Sequence, residues 1–226
     1  MNNSVHFNTG LAGLWACWPH VGDAAELICS LKYTHDTIAL TPIADAMAHL
    51  VNDRRRSLEQ EPVLTWIPCT PRRRKNRGFD QAELLARATA RRTKCRPRPL
   101  LRRQDAASQT TRNIRGRREG PQLMLRTSLS SSSKSVPHTV VVIDDVYTTG
   151  ATMRSAADLL LTAGIHAVYG LVATAAPNEG LLWTSYGNSP LPASQNSRQV
   201  AAVLPRSVPA KICSGQNLLR HPHSAA

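Results

Sequence analysis

The sequence predicts an α/β protein built on a parallel β-sheet with helices on its faces. Aliphatic or β-branched runs at residues 63–67, 139–143 and 168–173 alternate with segments that repeat apolar side chains at helical spacing. Strands that alternate with helices are typical of a parallel sheet, whose ligands bind at the carboxyl ends of its strands. The polar segments after the first two runs are therefore where we expect a site.

The N-terminal half carries two predicted helices before its first strand. Residues 24–33 place Leu27, Ile28 and Leu31 on one side of a short amphipathic helix. A second helix is predicted to begin at Thr41-Pro42, because threonine is a good N-cap and proline is tolerated at the first helical position.

A basic segment follows the predicted strand at residues 63–67. Residues 72–78 are predicted to form a basic loop, and residues 79–92 repeat apolar side chains as a helix does. Leu100-Leu101 belongs to a brief further strand. Gly164 stands where the glycine that ends a helix over residues 150–163 belongs.

Composition divides the chain into three regions. Residues 1–20 form an N-terminal segment, residues 21–176 hold the predicted domain, and residues 177–226 are rich in Asn, Ser, Pro, Gln and Gly. We predict a disordered C-terminal tail, because it cannot bury enough apolar area to offset the entropy cost of ordering.

Charge and cysteine content narrow the class of protein. A net charge of +13 favours anionic partners such as nucleic acid or phosphorylated metabolites. The five cysteines are odd in number and widely spaced, which argues against a disulfide framework or a zinc ribbon. No secretory leader and no apolar run of about 20 residues is present, so we expect a cytoplasmic protein without membrane insertion.

Residues 140–152, VVVIDDVYTTGAT, combine the groups that a sugar phosphate needs. Asp144 and Asp145 follow a buried strand, where adjacent carboxylates can accept hydrogen bonds from vicinal hydroxyls. The turn that follows supplies the hydroxyls of Thr148, Thr149 and Thr152, and it leads into a helix whose N-terminal amides favour an anion. Gly150 allows close approach of the backbone to a phosphate. The segment thus predicts a ribose 5-phosphate site; a turn cap alone is the structural alternative.

The same thirteen residues resemble the phosphoribosyl-pyrophosphate motif of type I phosphoribosyltransferases. The resemblance implies that Asp144 and Asp145 contact the ribose hydroxyls and act in catalysis, with Mg²⁺ bridged through water rather than bound directly. It further implies a parallel sheet with a small hood. Residues that would surround the 5′-phosphate are Tyr147, Thr148, Thr149, Gly150, Ala151 and Thr152.

A narrower resemblance is to the ComF/GntX competence-type family within that group. It is carried by residues 27–33 (LICSLKY), 68–71 (PCTP) and 74–86 (RKNRGFDQAELLA). By this resemblance residues 68–78 are the pyrophosphate-binding loop, and the anion ligands are Lys32, Arg74 and Arg77. The family commonly has an N-terminal zinc ribbon, which this sequence lacks. It also carries a Gln…Arg…Asn loop, which Gln109 fits and which Arg117 and Arg118 match only loosely.

Three functions remain open from the sequence, one of them a regulatory protein that binds a phosphoribosyl group without contacting DNA. The first is transfer of phosphoribose from phosphoribosyl pyrophosphate to an unknown acceptor, with release of pyrophosphate, as a pentosyl glycosyltransferase of nucleoside metabolism. The alternative is a non-enzymatic competence factor that handles single-stranded DNA during DNA uptake, which the resemblance implies. More than half of all Lys and Arg residues lie between Arg72 and Arg118, an excess over what pyrophosphate needs. A solvated basic surface explains that excess equally well, and the sequence leaves oligomeric state undetermined.

Overall fold

A computed structural model describes residues 10–33, 37–103, 123–126 and 136–176, and all of them belong to one compact unit. The loop with Gln109, Arg117 and Arg118 lies outside the described residues, as does the predicted tail at residues 177–226.

Seven strands and five α-helices occupy the described ranges. In chain order they are β1 (Gly13–Pro19), α1 (Gly22–Tyr33), α2 (Thr37–Arg54), β2 (Val63–Trp66), α3 (Pro71–Arg77), α4 (Gln81–Thr93), β3 (Arg96–Pro97), β4 (Leu101–Arg103), β5 (Leu123–Leu125), β6 (Thr139–Tyr147), α5 (Ala151–Thr162) and β7 (Ala167–Ala175). None of the helices in these ranges has the length and apolar character that crossing a membrane requires.

The main sheet has five parallel strands in the order β1-β7-β6-β2-β3. A separate antiparallel pair, β4 with β5, corresponds to the predicted hood. The predicted fold, a parallel sheet flanked by helices with a small hood, is thus confirmed.

Helices cover both faces of the sheet, so its central strands are apolar on both sides. Val141 and Ile143 face a core shared with α1, α2 and α4. The alternate side chains Val140 and Val142 face a second core with α5 and the hood. All four are fully buried, which explains why the strand is a continuous aliphatic run.

The sheet begins earlier in the chain than the sequence predicted. β1 pairs along its length with β7 and buries Trp15 and Cys17, although residues 1–20 were predicted to stand outside the domain. The run is short, and its tryptophans gave no clear period, so the strand was missed.

One helix begins earlier than predicted, and another forms where the sequence predicted a loop. α2 begins at Thr37, which leaves Pro42 inside the helix rather than at its first position. α3 replaces the predicted basic loop: Thr70 accepts a bond from the Arg73 amide at 3.2 Å, and Pro71 occupies the first turn. The threonine-proline signal therefore marks the start of α3 and not that of α2.

The direction of chain progression reverses between β2 and β6. From β2 the chain moves outward to β3, and from β6 it moves the other way to β7. In parallel sheets this reversal opens a crevice at the carboxyl ends of the two strands.

Candidate functional site

A cleft of about 260 Å³ lies at the carboxyl ends of β2 and β6, where the strand order reverses. Its charged lining consists of four cations and three carboxylates, namely Lys32, Arg73, Arg77, Arg103, Asp80, Asp144 and Asp145. Residues from five separate stretches of sequence therefore meet in this one cleft.

Asp144 and Asp145 lie within β6, which extends to Tyr147 rather than ending before the carboxylates as predicted. Each side chain accepts a hydrogen bond from the next amide: Asp144 Oδ1 from Asp145 N at 2.9 Å, and Asp145 Oδ1 from Val146 N at 2.8 Å. Burial, followed by repulsion from Asp145, raises the pKa of Asp144 well above its usual range. Asp144 therefore holds its proton to higher pH than an ordinary aspartate does.

Lys32 and Arg103 bring positive charge to these carboxylates from α1 and the hood. Lys32 Nζ lies 3.2 Å from Asp145 Oδ2. Arg103 Nε donates a 2.6 Å hydrogen bond to the Pro68 carbonyl, which ties β4 to the turn after β2. Burial lowers the pKa of Arg103, and the nearby Asp144 opposes this effect. Arg103 was not predicted, since nothing in its surrounding sequence marks it.

α3 directs its arginines to two different places. Arg73 and Arg77, four residues apart and so on one face, line the cleft. Arg74 instead pairs with Glu83 at 3.6 Å, and its side chain is 61% exposed. Of the three predicted pyrophosphate ligands, Lys32 and Arg77 thus line the cleft and Arg74 does not. Treating the segment as a loop hid this division.

Asp80 fixes the turn after β2 to the start of α4. Its Oδ2 accepts from the Cys69 amide at 2.7 Å, and its Oδ1 caps α4 by accepting from Glu83 N at 3.3 Å. Both oxygens of this buried carboxylate are therefore in use. The sequence signature contained Asp80 without indicating its role.

The turn between β6 and α5 requires glycine at position 150. Gly150 adopts φ 72°, and a Cβ there would lie 2.2 Å from the Tyr147 hydroxyl. Tyr147 is buried beneath this turn, so its ring shapes the turn. Thr152 lines the cleft, whereas Thr148, Thr149 and Ala151 are exposed.

Neither a metal cluster nor an activated thiol is apparent in the described ranges. Within them, no group of three or more His, Cys, Asp or Glu side chains could hold a metal ion. Cys69 lines the cleft as a free thiol, but burial and the nearby Asp80 raise its pKa to about 11. Cys69 therefore stays protonated at neutral pH and is a poor nucleophile.

Fold and cleft together define a parallel α/β protein with a cleft, lined by cations and carboxylates, at the point where its strand order reverses. In sequence, the chain is 35% identical over 98 residues to Competence protein ComFC of Streptococcus pneumoniae (strain ATCC BAA-255 / R6). This match covers 43% of the chain and 41% of the relative. It confirms the resemblance to the ComF-type family that the motifs predicted, over less than half of that relative's length. No family model matches the chain.

Two solved structures show partial similarity. One is the allosteric regulatory enzyme of purine biosynthesis, with 16% identity and a TM-score of 0.40 over 64% of this chain and 30% of that chain. The other is a hypoxanthine phosphoribosyltransferase from Staphylococcus aureus, with 13% identity and a TM-score of 0.38 over 62% of this chain and 66% of that chain.

Proposed function

We propose that the cleft binds a phosphorylated ribose, with phosphoribosyl pyrophosphate as the full ligand. The observation that carries this proposal is the convergence in one cleft of the carboxylate pair Asp144 and Asp145, the start of α5, and four cations. A ribose diol matches the carboxylates, and phosphates match the helix terminus and the cations.

Each part of the ligand has a counterpart in the cleft. Asp144 and Asp145 accept hydrogen bonds from the two ribose hydroxyls. The turn from Thr148 to Thr152 surrounds the 5′-phosphate, with Gly150 allowing close backbone approach. The cations of α3 and the hood then face the pyrophosphate.

We also infer that a magnesium ion arrives with the ligand. Mg²⁺ usually binds one or two carboxylates together with waters and substrate phosphates, rather than a cage of protein ligands. Asp144 and Asp145, at the edge of the cleft, would hold the ion through bridging water. When bound, the ion would neutralise part of the charge on the pyrophosphate.

Transfer of the phosphoribosyl group is the reaction that such a complex supports. An acceptor nucleophile would form a bond to C1 of the ribose while the bond from C1 to the pyrophosphate oxygen breaks. Arg73, Arg77 and Arg103 would stabilise the charge on the leaving pyrophosphate. Asp144 and Asp145 would hold the sugar still, which lowers the entropy cost of reaching the transition state.

Removing the charges of the carboxylate pair is expected to weaken ligand binding and to stabilise the free protein. In Asp144→Asn/Asp145→Asn, the affinity for phosphoribosyl pyrophosphate with Mg²⁺ should fall at least about tenfold, since charge-assisted bonds are lost. Asp144→Asn alone should raise the free energy of unfolding at neutral pH by about 0.5–2 kcal/mol. Calorimetric titration and urea denaturation measure the two effects.

The pH dependence of the free energy of unfolding follows from the raised pKa of Asp144. The folded state holds this proton to higher pH than the unfolded state does, so stability falls as pH rises from the ordinary Asp range to the raised value. Asp144→Asn should remove that fall.

Wild-type protein that binds neither phosphoribosyl pyrophosphate nor ribose 5-phosphate at millimolar concentration would refute the proposed function.

A second candidate function, contact with single-stranded DNA, is favoured by the surface of α3. Arg72, Arg74 and Lys75 are exposed and do not line the cleft. Cations of this kind bind phosphate backbones without reading sequence. No aromatic side chain whose exposure the structure describes is exposed, so α3 would act through charge rather than base stacking.

Charge reversal on α3 separates this candidate from the cleft. Arg72→Glu/Lys75→Glu should weaken binding of single-stranded DNA and reduce the slope of log affinity against log salt by about 1–2. Its affinity for ribose 5-phosphate should not change. DNA binding that is equal in the variant and the wild type, or absent from both, would exclude a role of α3.

A further inference from the structure

Gln81 is a buried amide that has no hydrogen-bond partner for its nitrogen within the described residues. The residue is 4% exposed, it occupies the first position of α4, and it lines the cleft. Buried side-chain amides are nearly always hydrogen-bonded, so an unpaired one beside a cleft indicates a group that a ligand satisfies. The other unpaired buried polar atoms in the described ranges, Trp18 Nε1 and Thr89 Oγ1, belong to residues that do not line the cleft.

The surroundings of Gln81 favour an anion. Gln81 and Ala82 fill the first two positions of a 13-residue helix, whose opening amides have no partners inside the helix. Arg73, Arg77 and Arg103 line the same cleft. The neighbouring Asp80 directs both of its oxygens to amides, and the three arginines outnumber its single negative charge.

We propose that Gln81 is a specificity-determining residue that donates its side-chain hydrogen bond to the diphosphate of the ligand, at the N terminus of α4. This subsite is distinct from the turn before α5, which receives the 5′-phosphate. The inference rests on the proposed function and adds to it a residue that distinguishes a diphosphorylated ribose from ribose 5-phosphate.

A structural role and a ligand-binding role for Gln81 predict different stabilities of the free protein. If Gln81 had a purely structural role, the protein would lose stability when the polar group of this side chain is removed. An amide kept for a ligand is unsatisfied in the free protein, so replacing it by an apolar side chain of similar volume leaves stability unchanged or raises it.

The test compares wild type with Gln81→Met and Gln81→Glu, using inorganic pyrophosphate and ribose 5-phosphate as separate calorimetric probes. Gln81→Met should bind pyrophosphate roughly 10- to 100-fold more weakly, as expected for loss of a hydrogen bond to a charged group. Gln81→Glu should bind it more weakly still, because its carboxylate repels the anion. Both variants should bind ribose 5-phosphate as wild type does, and Gln81→Met should melt no lower than wild type.

The outcomes separate this inference from the proposed function. Wild type that binds ribose 5-phosphate but not pyrophosphate would overturn the Gln81 subsite and leave the ribose site standing. Equal pyrophosphate binding by Gln81→Met and wild type would overturn it too, as would a Gln81→Met protein that melts lower and loses both ligands. Wild type that binds neither ribose 5-phosphate nor phosphoribosyl pyrophosphate would remove the proposed function itself.

Discussion

Replacing Gly150 by alanine should lower the free energy of unfolding by about 2–4 kcal/mol and abolish binding of ribose 5-phosphate. Two costs add at this position. The backbone has φ 72°, which a residue with a Cβ adopts at a penalty, and the new Cβ would meet the hydroxyl and ring of Tyr147 at 2.2–2.8 Å. Because Tyr147 is buried, its ring can yield only by disturbing the turn.

Gly164 is the matched control for this change. It also has a positive φ, 88°, but a Cβ there would meet nothing within 4 Å. Gly164→Ala should therefore cost only about 1–2 kcal/mol and leave ligand binding intact. Urea denaturation and calorimetry of both variants provide the comparison. Equal destabilisation by the two changes, with ligand binding retained in Gly150→Ala, would show that the contact with Tyr147 does not shape the site.

Replacing Asp80 by alanine should cost about 2–4 kcal/mol, because one side chain holds two elements together. The change removes the cap of α4 and leaves the Cys69 amide without its 2.7 Å partner. The turn after β2 would then be released from α4, and with it the start of α3. Arg73 and Arg77 would lose their fixed positions, so pyrophosphate binding should weaken as well.

Thr70→Ala offers a control for the capping effect alone. Thr70 caps α3 through one bond, from the Arg73 amide at 3.2 Å. Its loss should cost about 1 kcal/mol. Denaturation followed by circular dichroism, with pyrophosphate titrations, compares the two variants. The proposed tie between β2 and α4 would be wrong if Asp80→Ala were no less stable than Thr70→Ala and bound pyrophosphate like wild type.

The central part of the fold was predictable because its sequence signals are local and redundant. β6 is an unbroken aliphatic run, and Gly164 follows the end of α5 with the expected positive φ. Asp144 and Asp145 were predicted correctly as neighbours at the edge of the sheet, although the strand continues past them. Here the aliphatic run and the glycine agree on one structure.

Other features depend on contacts between distant residues and could not be read locally. The two Thr-Pro pairs are alike in sequence, yet only Thr70-Pro71 begins a helix. At Thr41-Pro42 the residues that precede the pair are already helical, so α2 begins at Thr37. Arg103 reaches the cleft through the hood's contact with Pro68, 35 residues earlier in the chain. No periodicity in the sequence reports such a contact.

The order of strands also determines when the sheet can be completed during synthesis of the chain. Among the described strands, β1 pairs only with β7, and β2 joins the rest of the sheet only through β6. Until residues 139–175 have left the ribosome, the tryptophan-bearing β1 has no partner strand and β2 keeps one open edge. Such edges invite association between chains. A nascent chain that stalls before β6 would therefore depend on chaperones, and the cleft would be among the last parts of the molecule to form.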